Sequence, residues 1–274
     1  MNYAIFKRDR IQNLIEHFDH LERGGFWRRR SFKHILMSRH DLLKVLQFDT
    51  SCAVINGNSL ILPDTRIFSA GDGLKLHVYA HHLNSSQMFC VNAFYPLMSG
   101  SVELADVMRD CGIALRGNVN RAIFEHTPDG PEHTNFDFYA ETDFGEKIYF
   151  EIKYTEQGFG SASESSRKEW DRPIGFCYRR QVASSCFAQV LGDPDVFFKD
   201  YQVNRNIAYV QGPNDHVVFM FPKDNSSLEL PPYALGPQVH VIDSYAFLKA
   251  AAKQSGLQDH YANLSAIYFG RKFV

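Results

Sequence analysis

The spacing of hydrophobic residues predicts helices towards both ends of the chain. Ile11, Leu14, Ile15 and Phe18 recur at helical spacing, so we expect an amphipathic helix over residues 1–20. The same criterion and the cap and stop residues predict further helices over 40–48, 85–94, 101–111, 178–210 and 243–256. The stretch 178–210 carries an interruption at Gly192-Asp193-Pro194.

Between these helices the pattern changes to a period of two, which is typical of strands. Strands are predicted over 119–126, 134–142, 146–154, 215–221 and 238–242, with short ones at 59–62 and 74–79. Asp143-Phe144-Gly145 is a hairpin signal between two of them. We therefore expect an α/β fold with a mixed central sheet flanked by helices. Residues 1–84 are predicted to be a helical and irregular N-terminal extension, and residues 85–274 the core domain.

The strand Lys147–Tyr154 places two kinds of side chain on its two faces. Side chains alternate along a strand, so Ile148, Phe150, Ile152 and Tyr154 share a core face. Glu151 and Lys153 share the other face, about 7 Å apart by strand rise. In the preceding strand Phe136, Phe138 and Ala140 are expected on one face, and Asn135, Asp137, Tyr139 and Glu141 on the other.

A hairpin centred on Phe144 would bring Asp137 opposite Glu151. Two close carboxylates repel each other, and both stay ionised most easily when a cation lies between them. Oxygen ligands favour a hard divalent ion, so Mg²⁺, with Mn²⁺ as a substitute, is the expected cofactor. Lys153 would stabilise charge on a phosphate or orient the attacking water. The alternative is a surface hairpin with an ordinary Glu–Lys polar face.

Asp137 followed by Glu151-x-Lys153 resembles the PD-(D/E)XK nuclease superfamily, which has the restriction-endonuclease-like fold. Phe136 stands where the motif often has proline. The resemblance implies that Asp137, Glu151 and the carbonyl of Ile152 bind metal. It also implies a further upstream acidic ligand, for which Glu125 is the candidate. The resemblance covers about residues 85–221.

A second part of the resemblance lies in Tyr201-Gln202-Val203-Asn204-Arg205-Asn206. Several branches of the superfamily carry a Gln-x-x-Arg-like element on the helix after the ExK strand, beside the site. Gln202, Arg205 and Asn206 are expected on one helix face. Gln202 and Arg205 are the predicted site residues, and the alternative is that they only pair with neighbouring side chains.

Two other features allow both a functional and a structural interpretation. The stretch 23–39 interleaves basic residues with Phe26, Trp27 and Phe32, so it could bind phosphates and stack on bases, or simply be a solvated charged face. Asn92, inside an apolar helix, could border the site or make a buried hydrogen bond that fixes packing.

Composition limits the remaining choices. The chain has 274 residues, is 45% hydrophobic and carries a net charge of -2, so a globally basic coat for nucleic acid is absent. No apolar run suits a membrane span, and no HExxH, CxxC or phosphate-binding loop motif is present. Five widely spaced cysteines and the absence of an export signal predict a cytoplasmic protein with free thiols.

These observations predict a Mg²⁺-dependent endonuclease that hydrolyses phosphodiester bonds, in DNA first, with RNA as an alternative. A homodimer is considered because restriction-type enzymes are often dimers. The second hypothesis is a catalytically inactive nucleic-acid-binding or assembly module on the same fold. A third is a hydrolase of another phosphate ester.

Overall fold

The computed structural model describes residues 2–63, 73–99, 101–129, 134–171, 176–271 and 273. Its strands are β1 (Phe26–Trp27), β2 (Arg30–Ser31), β3 (Val54–Asn56), β4 (Ser59–Ile61), β5 (Leu74–Lys75), β6 (Val119–His126), β7 (Phe136–Thr142), β8 (Lys147–Ile152), β9 (Asp215–Phe221) and β10 (Val239–Asp243). Its helices are α1 (Tyr3–His17), α2 (Leu42–Val45), α3 (Ser86–Phe94), α4 (Ser101–Asp110), α5 (Glu164–Asp171), α6 (Phe176–Ala183), α7 (Ala188–Leu191), α8 (Pro194–Lys199), α9 (Tyr201–Ile207), α10 (Ser244–Ala251) and α11 (Gln258–Phe269). Short 3₁₀ helices cover Arg39–Asp41, Tyr95–Ser99 and Pro232–Ala234.

A five-stranded mixed sheet forms the centre of the fold, in the order β10-β9-β8-β7-β6. The consecutive strands β6, β7 and β8 are antiparallel, whereas β8 pairs with β9, and β9 with β10, in parallel. The connection from β8 to the parallel β9 runs through α5 to α9, as a parallel pair requires a long crossover. The predicted α/β fold with a mixed, helix-flanked sheet is confirmed.

The register of the β7–β8 hairpin matches the prediction. Tyr139 pairs with Tyr149 and Phe138 with Phe150, so the pairing is symmetric about Phe144. The pairing ends at Phe138 and Phe150, one position before Asp137 and Glu151. The tight turn is closed by a hydrogen bond from the Gly145 N–H to the Thr142 carbonyl, and Gly145 adopts a positive φ that suits glycine.

Both faces of the sheet are buried. Phe138, Phe150 and Ile152 belong to a first hydrophobic cluster, which also contains Leu14 and Phe18 from the N-terminal helical segment. Tyr139, Tyr149 and Phe219 belong to a second cluster on the opposite face, together with residues of α8 and α9. The predicted core face of β8 is therefore correct. The face of Glu151 is covered as well, so the simple surface-hairpin interpretation does not hold there.

One predicted facing is wrong. Phe136 was expected beside Phe138, but it packs in the second cluster against Tyr149 and Tyr209, with ring centres 4.8 and 5.3 Å away. The alternation is broken at Asp137, whose carboxylate oxygen Oδ2 accepts a hydrogen bond from the Ile152 N–H at 2.6 Å. A side chain thus takes the place of a main-chain acceptor where the two strands separate.

The observed helices match the predicted ranges with two exceptions. The long helical stretch predicted over 178–210 consists of four short helices, α6 to α9, because Pro194 and intervening turns interrupt the main-chain hydrogen bonding. The helices α5 and α11 were not predicted. Ser85 caps α3 as a predicted helix start, and its hydroxyl accepts a hydrogen bond from the Met88 N–H.

Described residues of the N-terminal segment, among them Leu14, Phe18 and Leu60, belong to the first hydrophobic cluster, and β3, β4 and β5 form a separate antiparallel sheet. The division of the chain at residue 84 stays a prediction. Among the residues described, no helix has the length and apolar character needed to cross a membrane.

Candidate active site

Glu151 lies near the end of β8, in the middle of the sheet. Glu151 pairs with Phe219 of the parallel strand β9, and only 2% of the surface of Glu151 is exposed. A buried carboxylate is costly unless hydrogen-bond donors or charges surround it. Glu151 meets this requirement through three side chains, which are described next.

Lys153 provides the cation. Its Nζ lies 2.6 Å from Glu151 Oε1, and 15% of its side chain is exposed. Burial by itself would lower the pKa of Lys153, but the carboxylates of Glu151 and Asp137 outweigh this effect and raise the pKa above its usual value. Lys153 therefore carries its positive charge at any physiological pH. The predicted placement of Glu151 and Lys153 on one face is confirmed by this contact.

Two amide side chains from α9 donate to the two oxygens of Glu151. Gln202 Nε2 lies 2.7 Å from Oε1, and Asn206 Nδ2 lies 2.9 Å from Oε2. These residues are four positions apart, so a helix places them one above the other on a single face. The structure thus brings the predicted residue Gln202 to the site. It adds Asn206, which the motif contained without a predicted role.

Arg205 lies elsewhere. Its guanidinium is 5.2 Å from the centre of the Tyr201 ring, and it lines a crevice with Tyr178, Gln181 and Phe197. Arg205 does not line the cavity that Glu151 and Lys153 line. The expectation that Gln202, Arg205 and Asn206 share one face is therefore wrong for Arg205, because successive helix positions are about 100° apart and Arg205 lies on the other side of Gln202 from Asn206.

Asp137 is the second carboxylate of the site. Partial removal from water, followed by the neighbouring charge of Glu151, raises the pKa of Asp137 well above its usual value. Its Oδ2 accepts from the N–H of Ile152, while Oδ1 has no hydrogen-bond donor among the described residues. The side chain of Ile152 is buried in the first cluster. Its carbonyl as a metal ligand stays a prediction.

Glu125 is held beside these groups by a polar network. Its carboxylate accepts hydrogen bonds from Gln87 at 2.7 Å and from Asn135, and it lies 3.3 Å from His77 Nε2. Glu125 has a φ of 51°, in the left-handed region that is rare for a residue with a side chain. The hydrogen bond to Glu125 raises the pKa of His77.

Gln87 and His77 were not predicted as site residues. Gln87 is 5% exposed, donates to the Lys75 carbonyl as well as to Glu125, and accepts from the His77 N–H. The one sequence signal was a glutamine in the first turn of an otherwise apolar helix. Asn92, on the same helix, is fully buried and bonds to Gln47, Val45 and Tyr268, so its structural interpretation is the correct one.

The carboxylate oxygens of Asp137 and Glu151 are negatively charged oxygen ligands of the kind that a hard divalent cation prefers. Asp137 Oδ1 accepts no hydrogen bond from the described residues, and burial followed by the charge of Glu151 raises the pKa of Asp137. In the part of the chain that the structure describes, no group of three or more His, Cys, Asp or Glu side chains is placed to hold a metal ion. The carboxylates of Asp137 and Glu151 line the same cavity, and Gln87 and Asn135 hold the carboxylate of Glu125.

The site opens onto a cavity of about 610 Å³. Asp137, Glu151, Lys153 and Gln202 line it from the core, and residues of the N-terminal segment line it as well. The volume lies within the roughly 300–1,000 Å³ of small-molecule pockets. The charged groups are thus accessible to a ligand, although most of the surface of Glu151 is covered.

Comparison with known protein families gives a match over most of the chain. The family model described as "Restriction Endonuclease associating with ARP" matches residues 24–269. No curated protein and no solved structure matches the chain.

Proposed function

The chain belongs to the family of restriction endonucleases associating with ARP, and from this premise we propose that it is a metal-dependent endonuclease of the PD-(D/E)XK type. The observation that carries the proposal is the convergence of Asp137, Glu151 and Lys153 on one cavity. Phosphodiester bonds in DNA are the proposed substrate, with RNA as the alternative.

In this proposal Asp137 and Glu151 hold Mg²⁺, or Mn²⁺ in its place, and the carbonyl of Ile152 completes the set. When bound, the ion supplies a nucleophilic water and polarises the scissile phosphate. Glu125 is proposed as the additional acidic ligand, and Gln87, Asn135 and His77 orient its carboxylate.

The protein side chains have separate tasks. Lys153 holds its proton permanently and stabilises the negative charge that develops on the phosphate. Gln202 and Asn206 fix the carboxylate plane of Glu151, so the oxygens keep one orientation towards the cavity. Arg205 supports α9 through Tyr201 in this scheme, rather than acting on the substrate.

The test is plasmid cleavage in Mg²⁺, Mn²⁺ or EDTA. The parent protein should cut in either metal and not in EDTA, and Glu151→Gln and Lys153→Ala should lose cleavage by at least about 100-fold. Glu141→Gln, on the neighbouring strand but outside this cavity, is the matched control and should cut normally. Cleavage by both site variants at the parent rate would refute the proposal.

The second candidate is an inactive nucleic-acid-binding or assembly module. It is favoured by the lack, among the described residues, of a group of three metal-binding side chains. Salt-sensitive DNA binding without cleavage in any divalent ion would select it.

The family description also names ARP, so ARP is a proposed partner, and a homodimer remains part of the proposal. A cytoplasmic location is proposed from the four free cysteines among the described residues.

A further inference from the structure

The cavity at the candidate site has a second wall, built from aromatic side chains of the N-terminal segment. From this wall we infer that the site takes a nucleic-acid strand with an unpaired base beside the scissile phosphate, and that Trp27 stacks on that base. The inference rests on the proposed function and narrows its substrate class.

Five rings follow one another along this wall, and all five line the cavity: Trp27, Phe32, His34, His82 and Tyr79. The ring centres of neighbours in this order lie 6.2, 5.6, 5.7 and 5.3 Å apart. We name this set the aromatic wall. Such spacings are those of rings in contact, so the wall is a continuous surface.

Main-chain hydrogen bonds hold the two halves of the aromatic wall together. The Leu36 N–H donates to the His81 carbonyl at 3.0 Å, and the Leu83 N–H donates to the His34 carbonyl at 2.9 Å. The hairpin of β1 and β2, which carries Trp27, continues from this frame. The two halves of the wall are therefore fixed to each other, and Asn84 Nδ2 donates to Thr155 Oγ1 at 2.7 Å, which ties the wall to the segment that follows Lys153.

The aromatic wall is uncharged at neutral pH. Burial and the neighbouring histidines lower the pKa of His82 to about 4, and burial lowers the pKa of His34 as well. Neutral rings contact bases rather than phosphates. Positive charge lies beside these rings: the Arg28 guanidinium lies over the Trp27 ring, 4.6 Å from its centre, and Lys7 also lines the cavity.

Stacking on the wall requires a base with an exposed face. In a duplex both faces of each base are covered by its neighbours, so an intact duplex offers the wall nothing to stack on. An unpaired nucleotide exposes its base, and a cavity of about 610 Å³ has the size of a small-ligand pocket. A single strand, a tail or a flap meets this requirement.

The chain provides a matched control beside Trp27. Phe26, its neighbour in β1, does not line the cavity and is 68% exposed, whereas Trp27 lines the cavity and is 38% exposed. Both residues lie in the same two-residue strand. Phe26→Ala therefore reproduces the loss of an aromatic ring from the hairpin without altering the aromatic wall.

The experiment measures binding of one labelled sequence as single-stranded DNA, blunt duplex, duplex with a single-stranded tail, and single-stranded RNA. Fluorescence anisotropy in EDTA separates binding from cleavage, and circular dichroism checks that each variant is folded. The parent should bind single-stranded and tailed DNA more tightly than blunt duplex. Trp27→Ala should weaken this binding roughly 5- to 100-fold, Trp27→Phe should retain part of it, and Phe26→Ala should leave it unchanged.

The outcomes separate this inference from the proposed catalysis. Binding of unpaired strands that depends on Trp27, without cleavage in any metal, supports the inference and removes the nuclease proposal. Equal cleavage of blunt and tailed duplex, unchanged in Trp27→Ala, keeps the nuclease and overturns the inference. Equal loss of binding in Trp27→Ala and Phe26→Ala also overturns it. RNA binding with the same dependence on Trp27 supports an unpaired base in either nucleic acid.

Discussion

Replacement of Lys153 by methionine tests the charge balance of the candidate site directly. The two side chains have similar length, so Lys153→Met removes the ammonium while keeping most of the packing. Glu151 and Asp137 are then left as close carboxylates without the cation that now lies 2.6 Å from Glu151. We expect the metal-free protein to be less stable and to regain stability in Mg²⁺.

The magnitude follows from burial. Removing one partner of a buried ion pair costs about 3–5 kcal/mol of the free energy of unfolding. The lower end applies here, because Gln202 and Asn206 still donate to Glu151, and Asp137, whose pKa is already raised, can take up a proton. A loss of about 3 kcal/mol lowers the Tm by roughly 6–12 °C in a chain of this size.

The assay is urea and thermal unfolding in EDTA and in increasing Mg²⁺. A metal at 100 times its Kd adds about 2.7 kcal/mol to any variant that binds it. At one Mg²⁺ concentration Lys153→Met should gain more than the parent, because its two carboxylates have lost the ammonium and bind the cation more tightly. Lys147→Met, at the exposed start of the same strand, is the control and should change the Tm little. The reasoning is wrong if Lys153→Met is as stable as the parent in EDTA, or if Mg²⁺ stabilises both variants equally.

Three further predictions separate charge, orientation and packing. A carboxyl with a raised pKa binds its proton more tightly in the folded state, so the metal-free protein should lose stability as the pH rises above about 3.8; Asp137→Asn should remove that loss in a pH series of unfolding experiments in EDTA. Asn206→Ala deletes a hydrogen bond to a buried carboxylate and should cost about 2 kcal/mol in urea unfolding, with cleavage reduced but not abolished because Gln202 still holds Glu151; full cleavage and stability would contradict this role. Asn92→Ala leaves buried main-chain groups without partners and should cost about 3 kcal/mol, while cleavage by the folded protein stays at the parent rate.

The period-two pattern and the Asp143-Phe144-Gly145 turn were sufficient to predict the register of the β7–β8 hairpin, because a two-residue periodicity and a tight turn leave one register. The Glu151–Lys153 contact followed from strand alternation alone. The broken alternation at Phe136 could not be predicted, since it depends on the Asp137 carboxylate bonding to a neighbouring strand.

The amino-acid sequence by itself determined the class of fold, the central hairpin and the charged groups that it carries, because these depend on periodicity and on residues close along the chain. Only the tertiary structure decided which distant side chains complete the site. The orientation of α9 brings Asn206, and not Arg205, into contact with Glu151. Gln87 and His77 contact Glu125, and Trp27 lines the same cavity as Glu151. These side-chain contacts to Glu125 and Glu151 join residues that are 38 to 55 positions apart, and the packing of both sheet faces, rather than any local pattern, fixes their distances.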